Sequence, residues 1–402
     1  MQAINEFIIN TNWHRFIFLL FETINLIIFI YAGLKIRYLK NNSLYWRYAI
    51  LPIISYCICR GLRFGRGIDY NLYYDVYQLI GWDFNSTNHE FLFKCINGFM
   101  YQLGLPYQAF IFLCSFILIW TLMIAIKDYK KIAILVLLFF LYETRNASIY
   151  IRWYLGFCFF FLSYIYLTKR KFVLYILTTI CSIMIHLGTI ILIPFLLFCF
   201  KINKPLLSHK FVISLFILSL TIGSTNLLNQ FIPYIEAISI VSERDQGYAN
   251  RLEDLLVGDW GYVNTLSIFA KCKAFFSYLF PILYSSYIAK QQSIDNYIAL
   301  NFFYIGIIIF PIFNTIELFD RYSMAFMFFS IFITGYSYCC GLKHYKKLSK
   351  IKQILFIIGL VAMVYTVLSE ILYQSRYWFN MLFIWDAGNL KCLPTWVFHM
   401  YD

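Results

Sequence analysis

Apolar residues in this chain neither alternate, as in a half-buried strand, nor recur every third or fourth position, as on a surface helix. They run in long blocks, near 16–36, 45–59, 105–126, 131–145, 149–168, 210–226, 263–289, 297–316, 322–342 and 353–373. A helix of about 20 apolar residues crosses a bilayer, so each block predicts a membrane helix. One block does not fit. Residues 172–200, "FVLYILTTICSIMIHLGTIILIPFLLFCF", are too many for one span and too few for two, and predict two short helices meeting near His186. The whole pattern predicts an all-α polytopic transmembrane bundle of about 10–12 membrane helices, with residues 1–402 as a single integral membrane domain.

The polar intervals refine this. Residues 60–104 read as an outer loop, with an interfacial or re-entrant helix in "FNSTNHEFLFKCINGFMYQLG", where Glu90 and Lys94 make a full span too polar. Residues 227–262, with "ERDQGYANRLEDLLVGDWGY", read as an outer loop or lid. The start, "MQAINEFIINTNWHRF", lacks a basic opening and a small-residue cleavage site, so insertion is expected to use the first span.

Composition agrees. The chain is 61% hydrophobic and 13% charged, against about a quarter charged for a soluble domain. Its net charge of +13 serves orientation, and no nucleic-acid partner is expected. Basic residues mark cytoplasmic loops. Lys35, Arg37, Lys40 and Arg47, the lysines of 127–131, "KRK" at 169–171, Lys201, Lys204, Lys210, Lys290 and "KHYKKLSKIK" at 343–352 share one side if 172–200 enters and returns. Both termini then lie outside. That cytoplasmic set has 16 Lys and 3 Arg, whereas the rest of the chain has 10 Arg and 4 Lys. Lysines set topology; arginines gather elsewhere. The 11 cysteines lie mostly within apolar runs, and neither Cys57–Cys59 nor Cys339–Cys340 has metal-site spacing, so no disulfide framework and no metal are expected.

The arginines concentrate in "CRGLRFGRGIDYNLYYDVYQ", residues 59–78. Arg60, Arg63 and Arg66 recur every third position, which on a helix keeps them within about a third of the circumference. Gly65 and Gly67 allow a tight turn with exposed amides. A guanidinium suits phosphate oxygens; the bland reading is an interfacial anchor. Three of them beside Asp69, Tyr70 and Tyr73, on the side where positive charge is disfavoured, favour anion binding. In "ETRNASIYIRWYLG", Arg145 and Arg152 are seven apart and share a face if the helix begins early. Arg152 lies within an apolar span, where a charge needs a cavity or a partner such as Glu143 or Asp69. His186, at the helix break with Thr189 one turn on, is either a satisfied core residue or a proton acceptor. Arg321 follows Glu317 by four and Asp320 by one, a local salt bridge or a further site. Glu22 and Glu370 are intramembrane acids without an assigned role.

An arginine-rich turn entering G-x-D-Y-x-x-Y (Gly67, Asp69, Tyr70, Tyr73), an acid about twenty residues on (Glu90), then "YIRWYLG" and the span pair ending "IHLGT", resembles the EpsG-like family of bacterial exopolysaccharide and O-antigen polymerases, the Wzy class. The family run I-R-Q-x-L-A, span, basic turn, span, F-H-x-S-A is matched at Arg152 and His186. Trp153 replaces the Gln, Ile185 the Phe, and Leu187-Gly188-Thr189 follows the His. Arg321 before an aromatic span is also similar to the family's late Arg. The resemblance covers roughly 50–200 well, and the C-terminal half in architecture.

The resemblance implies a GT-C-like glycosyltransferase of the bacterial inner membrane, joining undecaprenyl-diphosphate-linked repeat units at the outer leaflet without nucleotide sugar, metal or other cofactor. A flippase and a chain-length regulator are the implied partners. On this reading Arg60, Arg63, Arg66, Arg145 and Arg321 bind diphosphate and Arg152 stabilises developing charge. Asp69, Glu90 and His186 are candidate bases, and Tyr70 and Tyr73 contact sugar. An O-antigen ligase would use the same outer-leaflet chemistry, and loss of a ligase would leave unattached polymer on its carrier. A flippase or transporter of the lipid-linked sugar should show repeat symmetry and charges leading to both faces; neither is visible.

Overall fold

The computed structural model describes residues 2–65, 69–202, 204–223, 268–289, 294–313, 317–375 and 382–386. The expected lid at 227–262 and Arg66 lie outside these residues. Among the described residues the regular structure is helical, and the only extended pairing is one isolated bridge. Five stretches are long and apolar enough to cross a membrane: Asn12–Arg37, Tyr107–Ile126, Ile151–Thr168, Asp320–Lys343 and Lys350–Tyr373. Of the other spans expected from sequence, 263–289 and 297–316 form helices of 22 and 20 residues, Ile268–Ala289 and Ile294–Phe313, and the rest are shorter. The block 131–145 forms only Ala133–Glu143, and 45–59 forms Tyr45–Tyr56 followed by a π turn. The protein is a membrane-embedded helical bundle.

By internal packing the chain divides into two compact units, 1–197 with 365–402, and 198–364. In the first unit α1 (Gln2–Arg37) packs on α2 (Tyr45–Tyr56) and α6 (Ala133–Glu143). Next, α5 (Tyr107–Ile126) joins α2 to α7 (Ile151–Thr168), and α7 lies against α8 (Phe172–Ile185). Of its span, α7 has 78% buried, whereas α1 has 33%; α7 is therefore the axis and α1 a perimeter helix. Polar bonds join the helices where apolar burial gives no preference over lipid. Ser55 donates to Asn25 at 2.7 Å, and the Tyr45 hydroxyl to the Met123 carbonyl at 2.5 Å.

The interval 60–104, expected to hold one interfacial helix, forms two: α3 (Tyr70–Trp82) and α4 (Phe91–Gln102). The first was hidden because its buried face consists largely of tyrosine and small residues: Tyr70, Val76, Tyr77, Ile80 and Gly81, at helical spacing. Tyr77 meets Tyr101 and Tyr107 at ring distances of 5.8 and 5.6 Å and donates to the Leu105 carbonyl at 2.7 Å. Edge-on aromatic pairs of this kind fix α3 and α4 against α5.

Near His186 the chain does break as the length of 172–200 requires. α8 ends at Ile185, residues 187–191 form a 3-10 turn, and α9 (Leu192–Ile202) follows and carries the chain into the second unit. That unit contains α10 (His209–Ile222), α11 (Ile268–Ala289), α12 (Ile294–Phe313), α13 (Glu317–Met327) and α14 (Ser330–Lys343). Within it α12 packs on α10, α13 and α14, while Tyr338, Phe280 and Phe356 form a mutual aromatic cluster. The chain leaves through α15 (Lys350–Gln374).

Candidate functional site

The arginine-rich stretch departs from the helix that its spacing implied. Pro52 lies within α2, and after Tyr56 the helix widens into a π turn over Cys57–Gly61; such insertions often accompany functional sites. Gly65 then takes a φ of +62°, a left-handed conformation that glycine adopts without steric cost. The turn still brings Arg60 and Arg63 to one narrow cavity of about 30 Å³, room for two or so waters. Arg145 enters it from the 3-10 turn Arg145–Ser148 between α6 and α7. Tyr56, Thr144 and Tyr154 add hydroxyls to its wall.

The three cations differ in their neutralisation. Arg60 pairs with Glu22 of α1 at 3.1 Å, which gives that intramembrane acid its role. Glu370 of α15 lies within electrostatic reach of both Arg60 and Arg145. Arg145 also feels Glu143, donates to the Tyr142 carbonyl at 3.2 Å, and stacks over the Tyr142 ring at 4.3 Å. Arg63 is only 4% exposed, and among the described residues no carboxylate pairs with it and its Nε has no hydrogen-bond partner. Its electrostatic neighbours are Tyr107, Tyr70, Tyr56 and Cys114. An uncompensated buried charge is costly, so Arg63 is the group in this cavity most in need of an anion.

The Arg63 backbone is held from two sides. Gln108, in the first turn of α5, donates to the carbonyls of Gly61 (2.5 Å) and Arg63 (2.7 Å) and accepts from the Tyr70 hydroxyl at 3.3 Å. On the other side, residues 382–386 return: Phe64 N–H donates to Leu382 O at 3.1 Å and Ile384 N–H to Leu62 O at 2.9 Å, forming the Arg63–Phe383 bridge. Phe383 stacks on Trp385 (4.6 Å), and Phe21 closes a triangle of rings with both, at 5.0 and 5.6 Å.

Arg145 and Arg152 do not share a face. The 3-10 turn and Tyr150 interrupt the helical phase, and α7 begins only at Ile151. Ile151, Tyr154 and Leu155 line the cavity, while Arg152 pairs with Glu90 at 2.8 Å. The partner is therefore Glu90, not Glu143 or Asp69. The other Glu90 oxygen accepts from the Leu187 N–H at 3.1 Å, tying the head of α4 to the break between α8 and α9. There His186 Nδ1 accepts from Gly188 N–H at 3.1 Å, and the ring meets Trp153 edge-on at 5.0 Å. An accepting Nδ1 puts the proton of neutral His186 on Nε2. Ser182 donates to Gly156 O (2.8 Å) and lies 2.9 Å from the Thr189 hydroxyl. A Cβ at Gly156 would stand 3.0 Å from that of His186, so glycine permits this approach of α7 and α8.

The remaining sequence candidates are placed as follows. Asp69 precedes α3, its carbonyl accepting from Tyr73 N–H at 3.0 Å. Tyr70, the expected sugar contact, is buried, with Phe64 and Tyr107 meeting its ring edge-on (5.9 and 5.4 Å). Burial pushes its phenol up to about 12, against the pull of Arg63, and it stays a donor. Tyr73 is half-buried against Phe93 at 6.3 Å. Arg321 is half-buried on α13 of the second unit, beside buried Asp320, to which Ser323 donates. Among the described residues no three His, Cys, Asp or Glu side chains converge as a metal ion would require. Sequence reasoning missed Gln108; its one visible signal is a polar amide at the head of an otherwise apolar 20-residue helix.

A sequence model described as the EpsG family matches residues 46–380. That match spans the cavity, the Glu90–Arg152 pair, the His186 break and Arg321. Comparison with curated proteins and with solved structures finds no match.

Proposed function

The chain belongs to the EpsG family, and from that premise we propose that it is a polysaccharide polymerase of the O-antigen or exopolysaccharide kind. It would join oligosaccharide repeats carried on undecaprenyl diphosphate, at the outer face of the bacterial inner membrane. The observation that carries this reading is Arg63: a buried guanidinium with no carboxylate partner among the described residues, on a cavity it shares with Arg60 and Arg145.

In the reaction the acceptor sugar's hydroxyl oxygen attacks the anomeric carbon of the donor glycan. The bond from that carbon to the diphosphate oxygen breaks, its electron pair leaves on the diphosphate, and the hydroxyl proton passes to a base. Negative charge grows on the leaving group. A preorganised guanidinium in a low-dielectric site stabilises it by several kcal/mol, about 2.7–4 for one well-placed donor in other enzymes. Arginines supply this charge without a metal, and the reaction is proposed to be metal-independent. Glu90 is held by Arg152 and the Leu187 amide, and an ion-paired carboxylate is a weak base. We therefore assign Glu90 and Arg152 to fixing the helix break, and Asp69 and His186 remain the candidates for taking the proton. His186 can do so at Nδ1 by giving up the Gly188 N–H.

The test is elongation of added lipid-linked repeats by the purified, reconstituted protein with no leaflet gradient. Wild type should lengthen chains, chelator should leave the rate unchanged, and Arg63→Gln should abolish elongation while the protein stays in the membrane. Normal chain lengths from Arg63→Gln would overturn the anion-seat reading. Failure of wild type to elongate, with transport intact, would favour a flippase.

A further inference from the structure

We infer that Gln108 is the positioning residue that aims Arg63 into the cavity. The inference rests on the anion-seat reading and adds to it how that seat is kept in register. The π turn at Cys57–Gly61 and the glycine turn after it leave carbonyls that a continuing α-helix would have satisfied. In a buried site each needs a donor. One amide supplies both: Gln108 Nε2 reaches Gly61 O and Arg63 O.

The orientation of that amide is forced. Turned over, Oε1 would face two carbonyl oxygens and Nε2 the Tyr70 hydroxyl; as it stands, two donors meet two acceptors and the hydroxyl donates to Oε1 at 3.3 Å. Every bond then points the right way, and Gln108 is buried. Gln108 thus bridges the two residues flanking Leu62 and fixes the separation of the Gly61 and Arg63 peptides, from which the Arg63 side chain departs. Tyr70 fixes the amide in turn, and its buried phenol keeps its proton. The Arg63 side chain itself has no hydrogen-bond anchor at Nε among the described residues, so its direction is set by its backbone, held by Gln108 on one side and the Phe383 bridge on the other.

No other residue type does this. Glutamate would set a carboxylate against two carbonyls, asparagine falls one methylene short, and methionine keeps the volume without the donors. The effect of losing the clamp should therefore pass through Arg63 and vanish when the guanidinium is absent.

The experiment measures inorganic pyrophosphate binding to the full chain purified in micelles, for wild type, Gln108→Met, Arg63→Gln, the double variant, and Tyr70→Phe, with thermal unfolding recorded on each. Gln108→Met should weaken binding at least tenfold, and Tyr70→Phe should weaken it less. In the Arg63→Gln background, Gln108→Met should change the residual binding less than twofold, because the two residues act as one unit. A merely structural Gln108 would lower affinity equally in both backgrounds, and that result overturns the inference, as would unchanged affinity in Gln108→Met. If Gln108→Met does not fold, unchanged pyrophosphate binding by Tyr70→Phe overturns it instead. If wild type shows no Arg63-dependent binding, the anion-seat reading itself falls, an outcome separable from failure of the clamp alone.

Discussion

Arg63→Met should make this protein more stable and less active at once. Methionine preserves the length of the apolar stem but removes a buried charge that has no carboxylate partner among the described residues. Replacing buried charged groups by apolar residues of similar volume is neutral or stabilising by about 1–4 kcal/mol. The cavity that Arg63 lines has room for water, which offsets part of that cost. The expected gain is therefore at the low end, about 1–2 kcal/mol. Catalysis should move the other way. Losing one preorganised donor to the developing anion costs about 10²–10³ in rate, so long chains should disappear. The assay pairs a thermal-unfolding curve of the purified variant with the polysaccharide ladder from cells carrying it in place of wild type. Two results would refute the reasoning: a variant that melts below wild type, which makes Arg63 a structural residue, or one that melts higher yet produces a full ladder, which removes the anion from the cavity.

Glu90→Gln and Arg152→Gln should each destabilise by about 3 kcal/mol by leaving a largely buried partner charge, and the double variant should cost clearly less than the sum, read from a double-mutant cycle of unfolding curves. Glu22→Gln should cost less, about 1–2 kcal/mol by the same measurement, because Glu370 also lies in the field of Arg60. Gly156→Ala should destabilise by about 1–3 kcal/mol through overpacking and lower elongation, since the new methyl presses on His186; a neutral result in both assays would show that α7 and α8 yield freely at this point.

The reach of sequence reasoning differed between parts of the molecule. The apolar blocks located the spanning helices well, since a bilayer demands a length that few other structures require. The odd length of 172–200 announced the break at His186, and the arginine pattern pointed to the turn that holds Arg60 and Arg63. Errors came where local geometry changes phase. The Cys57–Gly61 π turn and the Arg145–Ser148 turn each alter the angle between successive side chains, which is why Arg145 joined Arg60 and Arg63 while Arg152 did not. Tyr70, read as a sugar contact, is buried and donates to Gln108.

What the linear chain determined was the solvent, the helices and the residue types able to hold an anion, because hydropathy and guanidinium chemistry are properties of the residues themselves. Which charge meets which was decided only by folding. Glu22 lies 38 positions from Arg60 and Glu90 lies 62 from Arg152, and no spacing rule spans such separations. Nor could any local pattern show that Arg63 would be buried with no carboxylate partner among the described residues, since that depends on where the acids settle in the packed bundle. The cost of burying a charge is set by its neighbours in space, and those neighbours come from helices that meet only in the packed bundle.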